Sequence, residues 1–230
     1  MEFRKTIVVA ILISFAVGNM RSQDKKFSFF GSYNYGIGNL TASVSSALGY
    51  PEKDEVNKLR SGTTNQLEAG VYYRSFGLGI IHNAYSTNAT TPYENADVNR
   101  DAYFENGILS DRMKLSFTGL ELLYKIPVFI TKMDVTWKVG LGVQTYSIDK
   151  GMNLMGTYPT QTNYTLTDHM VTTLAGVEIN YQLLRILSIG LETSIVPGNY
   201  TKLKDAASPS YIYTDNVTRL STGVKIKITI

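Results

Sequence analysis

The chain has 230 residues, 43% hydrophobic and 18% charged, with no cysteine and a formal net charge of +3. That length suits one domain with a sizeable core, and the missing cysteines exclude disulfides, thiolate metal sites and a lipidated N-terminal cysteine. Setting Arg4, Lys5, Arg21 and Glu2 aside with the leader described next leaves 19 basic against 18 acidic residues, a net of +1, which gives no support to nucleic-acid binding.

In chain order, the first feature is an apolar run over 6–17 that follows Arg4 and Lys5. It is too short to cross a bilayer as a helix and reads as the hydrophobic region of a secretory signal peptide spanning 1–22, with cleavage after Gly18 or near Gln23. The exported domain is then 23–230. Eight segments of period-two alternation follow, at 26–38, 64–74, 76–85, 113–125, 133–147, 166–181, 183–196 and 216–230. In the fifth, Val135, Trp137, Val139, Leu141 and Val143 oppose Thr136, Lys138, Gly140, Gly142 and Gln144. In the last, Leu220, Val224, Ile226, Ile228 and Ile230 oppose Ser221, Gly223, Lys225 and Lys227. Such alternation excludes amphipathic helices and fits strands between hydrocarbon and a polar interior. The fourth segment breaks the rule, because Leu115 and Phe117 share a side with Glu121 whereas Leu120, Leu122 and Tyr124 take the other. A β-bulge near Thr118 and Gly119 is the expected cause.

Connections alternate too. Those at 74–75, 126–132 and around Gln182 are short; those at 39–63, 86–112, 148–165 and 197–215 are long and rich in Asn, Thr, Ser, Asp, Gly and Tyr. The expectation is an all-β fold: an eight-stranded antiparallel up-and-down transmembrane barrel with short periplasmic turns, long extracellular loops and the last strand closing on the first.

The leader, the strand and turn rhythm, the strand Trp137 to Ser147 (WKVGLGVQTYS) and the terminal Gly223 to Ile230 (GVKIKITI) resemble the small outer-membrane barrels of the OmpA and OmpX type. The likeness is greatest to the outer-membrane β-barrel domain family common in Bacteroidota. It implies residence in the outer membrane, with membrane lipid and the barrel-assembly machinery as partners. Such proteins often end in an aromatic residue; this one ends in Ile230.

With the apolar parity on lipid, the inward parity collects Glu68, Glu178, Glu192, Lys138, Lys225 and Lys227 among repeated glycines, and the bulge would add Glu121. Eight strands enclose little space, so these seven are expected to form an ion-pair network that plugs the lumen, because unpaired buried charges are costly. The function expected is structural or interactive at the cell surface, through a ligand of the loops. A lipid-modifying enzyme or a small secretion-associated pore is the alternative.

The candidates for a catalytic rim are His82 and His169, near Ser86 and Asp168, but no spacing here is diagnostic and no enzyme is expected. Two lone histidines make no metal site, and no cofactor is expected. Aromatics divide into two expected interfacial belts: Tyr72, Tyr73, Phe76, Tyr124, Phe129 and Tyr181 near short turns, and Tyr85, Tyr146, Tyr200, Tyr211 and Tyr213 near long loops. Tyr93, Tyr103 and Tyr158 could instead line an adhesive surface.

Overall fold

The computed structural model describes residues 27–41, 50–96, 105–128, 132–155, 161–205 and 212–230; the signal peptide expected over 1–22 lies outside them, as do Tyr103, Phe129, Tyr158 and Tyr211. Period-two alternation becomes ten strands among these residues. They are β1 (Phe27–Leu40), β2 (Ser61–Tyr73), β3 (Phe76–Ala96), β4 (Glu105–Pro127), β5 (Met133–Met155), β6 (Gln161–Gln182), β7 (Leu187–Val196), β8 (Asn199–Asp205), β9 (Ile212–Asn216) and β10 (Arg219–Thr229). One helix, α1 (Glu52–Leu59), lies between β1 and β2.

β1 to β7 pair in sequence, β7 pairs β10 and β10 pairs β1, all antiparallel, which closes an eight-stranded ring. Closure runs from Phe30↔Thr229 to Leu40↔Arg219, and Phe29 and Ile230 exchange two backbone hydrogen bonds of 2.9 Å. Cross-strand partners followed once round the ring lead from Val177 through Thr193, Thr222, Ile37, Thr63, Ser86, Lys114 and Ser147 to Thr167, ten residues before Val177 on β6. A stagger of that size in eight strands goes with a tilt of about 40° and an interior just wide enough for side chains.

Three of the four expected long loops are mainly strand. β3 and β4 stay paired to Ala96↔Glu105, β5 and β6 to Asn153↔Gln161, and β8 with β9 makes a third hairpin that meets β6 at Leu166 and Thr167. Their Asn- and Thr-rich composition hides an alternation that continues above the ring: Thr87, Ala89, Thr91 and Tyr93 are all buried on one side of β3. β7 begins at Leu187, after a turn at 183–186 in which Leu183 N–H donates to Leu187 O over 3.0 Å.

The expected bulge near Thr118 and Gly119 is absent. β4 holds its register with β5 throughout and with β3 from Phe76↔Tyr124 to Tyr93↔Gly107. Its odd residues Met113, Leu115, Phe117, Glu121 and Leu123 all point inward and are buried. The strand does not switch sides; the interior changes chemistry with height. Toward the long hairpins it is apolar, built from Leu40, Tyr85, Ala89, Met113, Leu115, Tyr146, Ile148, Leu166, Tyr200 and Val217 around Leu59 of α1.

This apolar tier also corrects the second aromatic belt. Tyr85, Tyr146 and Tyr200 face the inside, the rings of Tyr146 and Tyr200 being 5.3 Å apart, and Tyr93 is buried on the same side rather than offered to a ligand. At the short-turn end the belt is outward, with Phe27 on Tyr73 and Phe76 on Tyr124 at 4.9 Å, except that Tyr72 points into the lumen.

α1 explains what closes this tier from above. Pro51 precedes it, Glu52, Asp54 and Glu55 occupy its first turn and Lys58 its last, an order that suits the helix dipole. Tyr85 Oη donates to Leu59 O over 2.7 Å, and Lys58 Nζ donates to Thr90 O and Thr91 Oγ1, both at 2.8 Å. Tyr50 Oη donates to Pro92 O at 3.3 Å. The bonds from Lys58 and Tyr50 occupy acceptors on β3 beyond Ser86, where no strand among the described residues lies on the β2 side, so that edge is blunted as a template for another chain.

Candidate functional site: the filled lumen

Below the apolar tier, the inward residues of six strands converge. Glu68 comes from β2, Glu121 from β4, Lys138 from β5, Glu178 from β6, Glu192 from β7, and Lys225 with Lys227 from β10; all seven are buried. Lys138 pairs with Glu68 and, at 2.7 Å, with Glu192. Lys225 pairs with Glu68, Glu178 and, at 3.0 Å, Glu192, while Lys227 pairs with Glu178. Each ammonium therefore meets at least one carboxylate that another residue also orders, and an inward charge with so many partners recovers much of its lost hydration. Gly79 makes room for the network: a Cβ there would stand 2.9 Å from Glu121 Oε1.

Glu121 differs from the other three carboxylates. Both of its oxygens are buried without a hydrogen-bond partner among the described residues, and the ammonium it pairs with, Lys138, is 3.9 Å away.

Sequence reasoning missed the polar residues that extend the network in both directions. Upward, Gln66 Nε2 donates to Glu68 at 2.5 Å and Glu192 at 2.6 Å, Asn83 Nδ2 donates to Gln66 Oε1 at 2.6 Å, and Arg219 donates to Asn83 Oδ1. Both amides are thus polarised the same way, oxygen toward the guanidinium and NH2 toward the carboxylates. Downward, Lys227 donates to Tyr72 Oη at 3.0 Å and lies 5.1 Å from the Phe30 ring centroid. Asn180 joins Glu178 (3.0 Å) to Asp134 (2.9 Å), and Asp134 pairs with half-exposed Lys125 at 3.0 Å near the short turns. The signal for Arg219 was available, since it continues the inward parity of Ser221, Gly223, Lys225 and Lys227.

Three of the carboxylates, Glu68, Glu178 and Glu192, place oxygens within 4.8 Å of one another, a spacing that would suit a cation. Lys138 and Lys225 already stand among them, so the positive charge of this cluster is supplied by the chain itself.

The rim histidines are not brought together with an acid and a nucleophile. His82 and His169 both sit on the outward, exposed face, on β3 and β6, with β4 and β5 between them. His82 Nδ1 is 2.8 Å from Thr118 Oγ1, its cross-strand neighbour. Asp168 and His169 alternate to opposite faces of β6, so the adjacent pair in sequence is separated by the barrel wall; only the His169 N–H reaches Asp168 Oδ1, at 2.7 Å.

An eight-stranded closed ring with an apolar outer face, aromatic ends and charges turned inward is an outer-membrane β-barrel. No protein-family model matches the sequence, and no curated protein matches it. The fold is similar to that of solved outer-membrane proteins. OprG from Pseudomonas aeruginosa superposes with a TM-score of 0.54 at 9% identity, over 90% of this chain and 97% of that one. A major outer membrane protein from Thermus thermophilus gives 0.53 at 11% identity, over 90% of this chain and all of that one.

Proposed function

We propose that this outer-membrane barrel, of the OmpA and OmpX type, conducts nothing and serves as a rigid stem for a surface platform made of the three long hairpins and α1. The observation that carries this reading is the lumen. Lys138, Lys225 and Glu178 have no measurable side-chain exposure, and the cross-section they occupy is shared with Glu68, Glu121 and Glu192. Above them Phe117 and Leu174 are equally buried, and above those α1 docks on the inward side of β3. A file of water through this interior would have to displace ion pairs, and each broken partner would leave a buried charge uncompensated.

The platform role rests on how far the hairpins rise. β3 runs ten residues beyond Ser86, the last residue matched to β2, with eight of them matched to β4, and an edge capped by Lys58 and Tyr50 is a stiff support for a binding surface. Catalysis forms no part of the proposal, since each rim histidine stands on the outer wall away from the buried carboxylates.

The test is electrical. The purified barrel in planar bilayers is expected to show no conductance steps, whereas a variant with Lys138, Lys225 and Glu178 all replaced by Gly should admit ions if it folds. Discrete steps from the wild-type protein would overturn the plugged-stem reading.

A further inference from the structure

Arg219 is fully buried, and no carboxylate among the described residues pairs with it. Only one of its nitrogens, Nη2, is hydrogen-bonded, to the neutral Asn83; Nε and Nη1 have no partner among the described residues. Its guanidinium carbon lies 5.7 Å from the centroid of the Tyr85 ring, a contact that orients the plane without neutralising it. A cation enclosed in this way calls for a counter-charge, because a buried guanidinium that has lost its hydration and has no ionic partner is uncompensated.

Other donors around it are in the same condition. Ser221, the next inward residue on β10, has a buried hydroxyl without a partner among the described residues, and both polar atoms of the Gln144 amide are in the same state. Gln144 belongs to β5 but its amide reaches the β10 side: a Cβ on Gly198 would stand 2.9 Å from both Gln144 Oε1 and Val217 Cγ2. Tyr200 holds the Gln144 backbone there by donating to its carbonyl at 2.9 Å. The four carboxylates of the lower network do not supply the missing charge. Glu68, Glu178 and Glu192 are engaged by Lys138, Lys225 and Lys227, Glu121 faces Lys138 at 3.9 Å and makes no ion pair with Arg219, and Asn83 and Gln66 stand between Arg219 and the carboxylates of Glu68 and Glu192.

We propose that Arg219 binds a small monovalent anion, of the size of chloride, inside the barrel between the charged network and the apolar tier. The site offers two unpaired N–H-bearing nitrogens and a fixed positive charge within a fully buried interior, which favours a small, partly or wholly desolvated anion over a phosphate or a carboxylate ligand. The anion serves as the structural counter-ion of the guanidinium.

Crystals of the full exported domain grown with bromide as the sole halide provide the direct test. An anomalous peak within hydrogen-bonding reach of Arg219 Nε or Nη1 is expected, and ordered water with no anomalous signal there would overturn the proposal. In solution, thermal unfolding in detergent is compared in chloride and in gluconate at equal ionic strength. The wild-type midpoint should rise saturably with chloride, as a ligand specific for the folded state requires. Asn83→Asp, which places a carboxylate where Asn83 Oδ1 now accepts from Arg219, should abolish that rise while preserving the fold. A chloride effect of equal size in Asn83→Asp, or none in the wild type, would count against the site. Should Asn83→Asp fail to fold, the bromide map of the wild-type protein still decides.

Discussion

Lys138 and Lys225 divide one carboxylate between them: Lys138 sits on Oε1 of Glu68 and Lys225 on Oε2. Glu68 also accepts from Ser32 Oγ at 2.8 Å and from Gln66. One side chain on β2 thereby ties β1, β5 and β10, so the ring is cross-braced through its centre.

Removing that brace leaves two ammoniums short of a partner. Glu68→Ala should lower unfolding free energy by about 3–5 kcal/mol, the cost of breaking a buried pair by deleting one side. Urea unfolding in lipid vesicles, followed by tryptophan fluorescence from Trp137, measures it. An unchanged midpoint would show that the network adds nothing to stability.

Glu121 should behave in the opposite way. It accepts no hydrogen bond from the described residues and is 3.9 Å from Lys138, so its burial is poorly compensated. Glu121→Gln or Glu121→Leu is expected to leave stability unchanged or raise it by about 1 kcal/mol, within the range for replacing poorly satisfied buried charges. The same urea titration separates the two carboxylates, and a loss as large as that of Glu68→Ala would remove the distinction drawn between them.

The docking of α1 should depend on pH through Glu55. Burial pushes its carboxyl above the ordinary value and the nearby Asp111 charge adds to the rise, against hydrogen bonds from Thr91 Oγ1 and, at 3.1 Å, the Asp111 N–H. A carboxyl whose pKa is higher docked than free holds its proton more tightly docked. Docking is therefore strongest below the free value of 4.5, weakens as pH climbs from there to the raised value and is level above it. Amide exchange at 55–59, corrected for the intrinsic rate, should show greater protection below the free value than at neutral pH and above, and Glu55→Gln should flatten the difference. Greater protection on the alkaline side would reverse the sign.

His82→Ala combined with His169→Ala should leave both the fold and the host's extracted lipid profile unaltered. Mass spectrometry of outer-membrane lipid from cells carrying each form makes the comparison. A lipid species lost in the double variant would establish a chemistry at the rim that the outward placement of both rings does not suggest.

Much of this was readable from residues alone, and the exceptions share a cause. The face of the last strand that carries Lys225 and Lys227, the inward course of Glu68, Lys138, Glu178 and Glu192, and closure of the ring follow from a period of two. That period tells which residues share a face but not which face is inside when both are apolar. On β4, Leu115 and Phe117 line the interior while Leu120 and Leu122 meet lipid, and only their heights in the barrel distinguish them. The tyrosines misled for the same reason: Tyr85, Tyr146 and Tyr200 have the composition of an interfacial belt and the parity of a core. α1 had a local signature in Pro51, its acidic first turn and Leu59, submerged in a stretch whose Asn, Ser and Gly content spoke for loop.

The order of the strands sets an order on the charges. Without β10 the central cluster would hold four carboxylates against the single ammonium of Lys138. The strand that completes the circle brings Lys225 and Lys227 together with the hydrogen bonds that seal the seam to β1. The strand that closes the last open edge thus also carries two of the three ammoniums that face the four carboxylates, so the seam and the charge pairing depend on the same eleven residues.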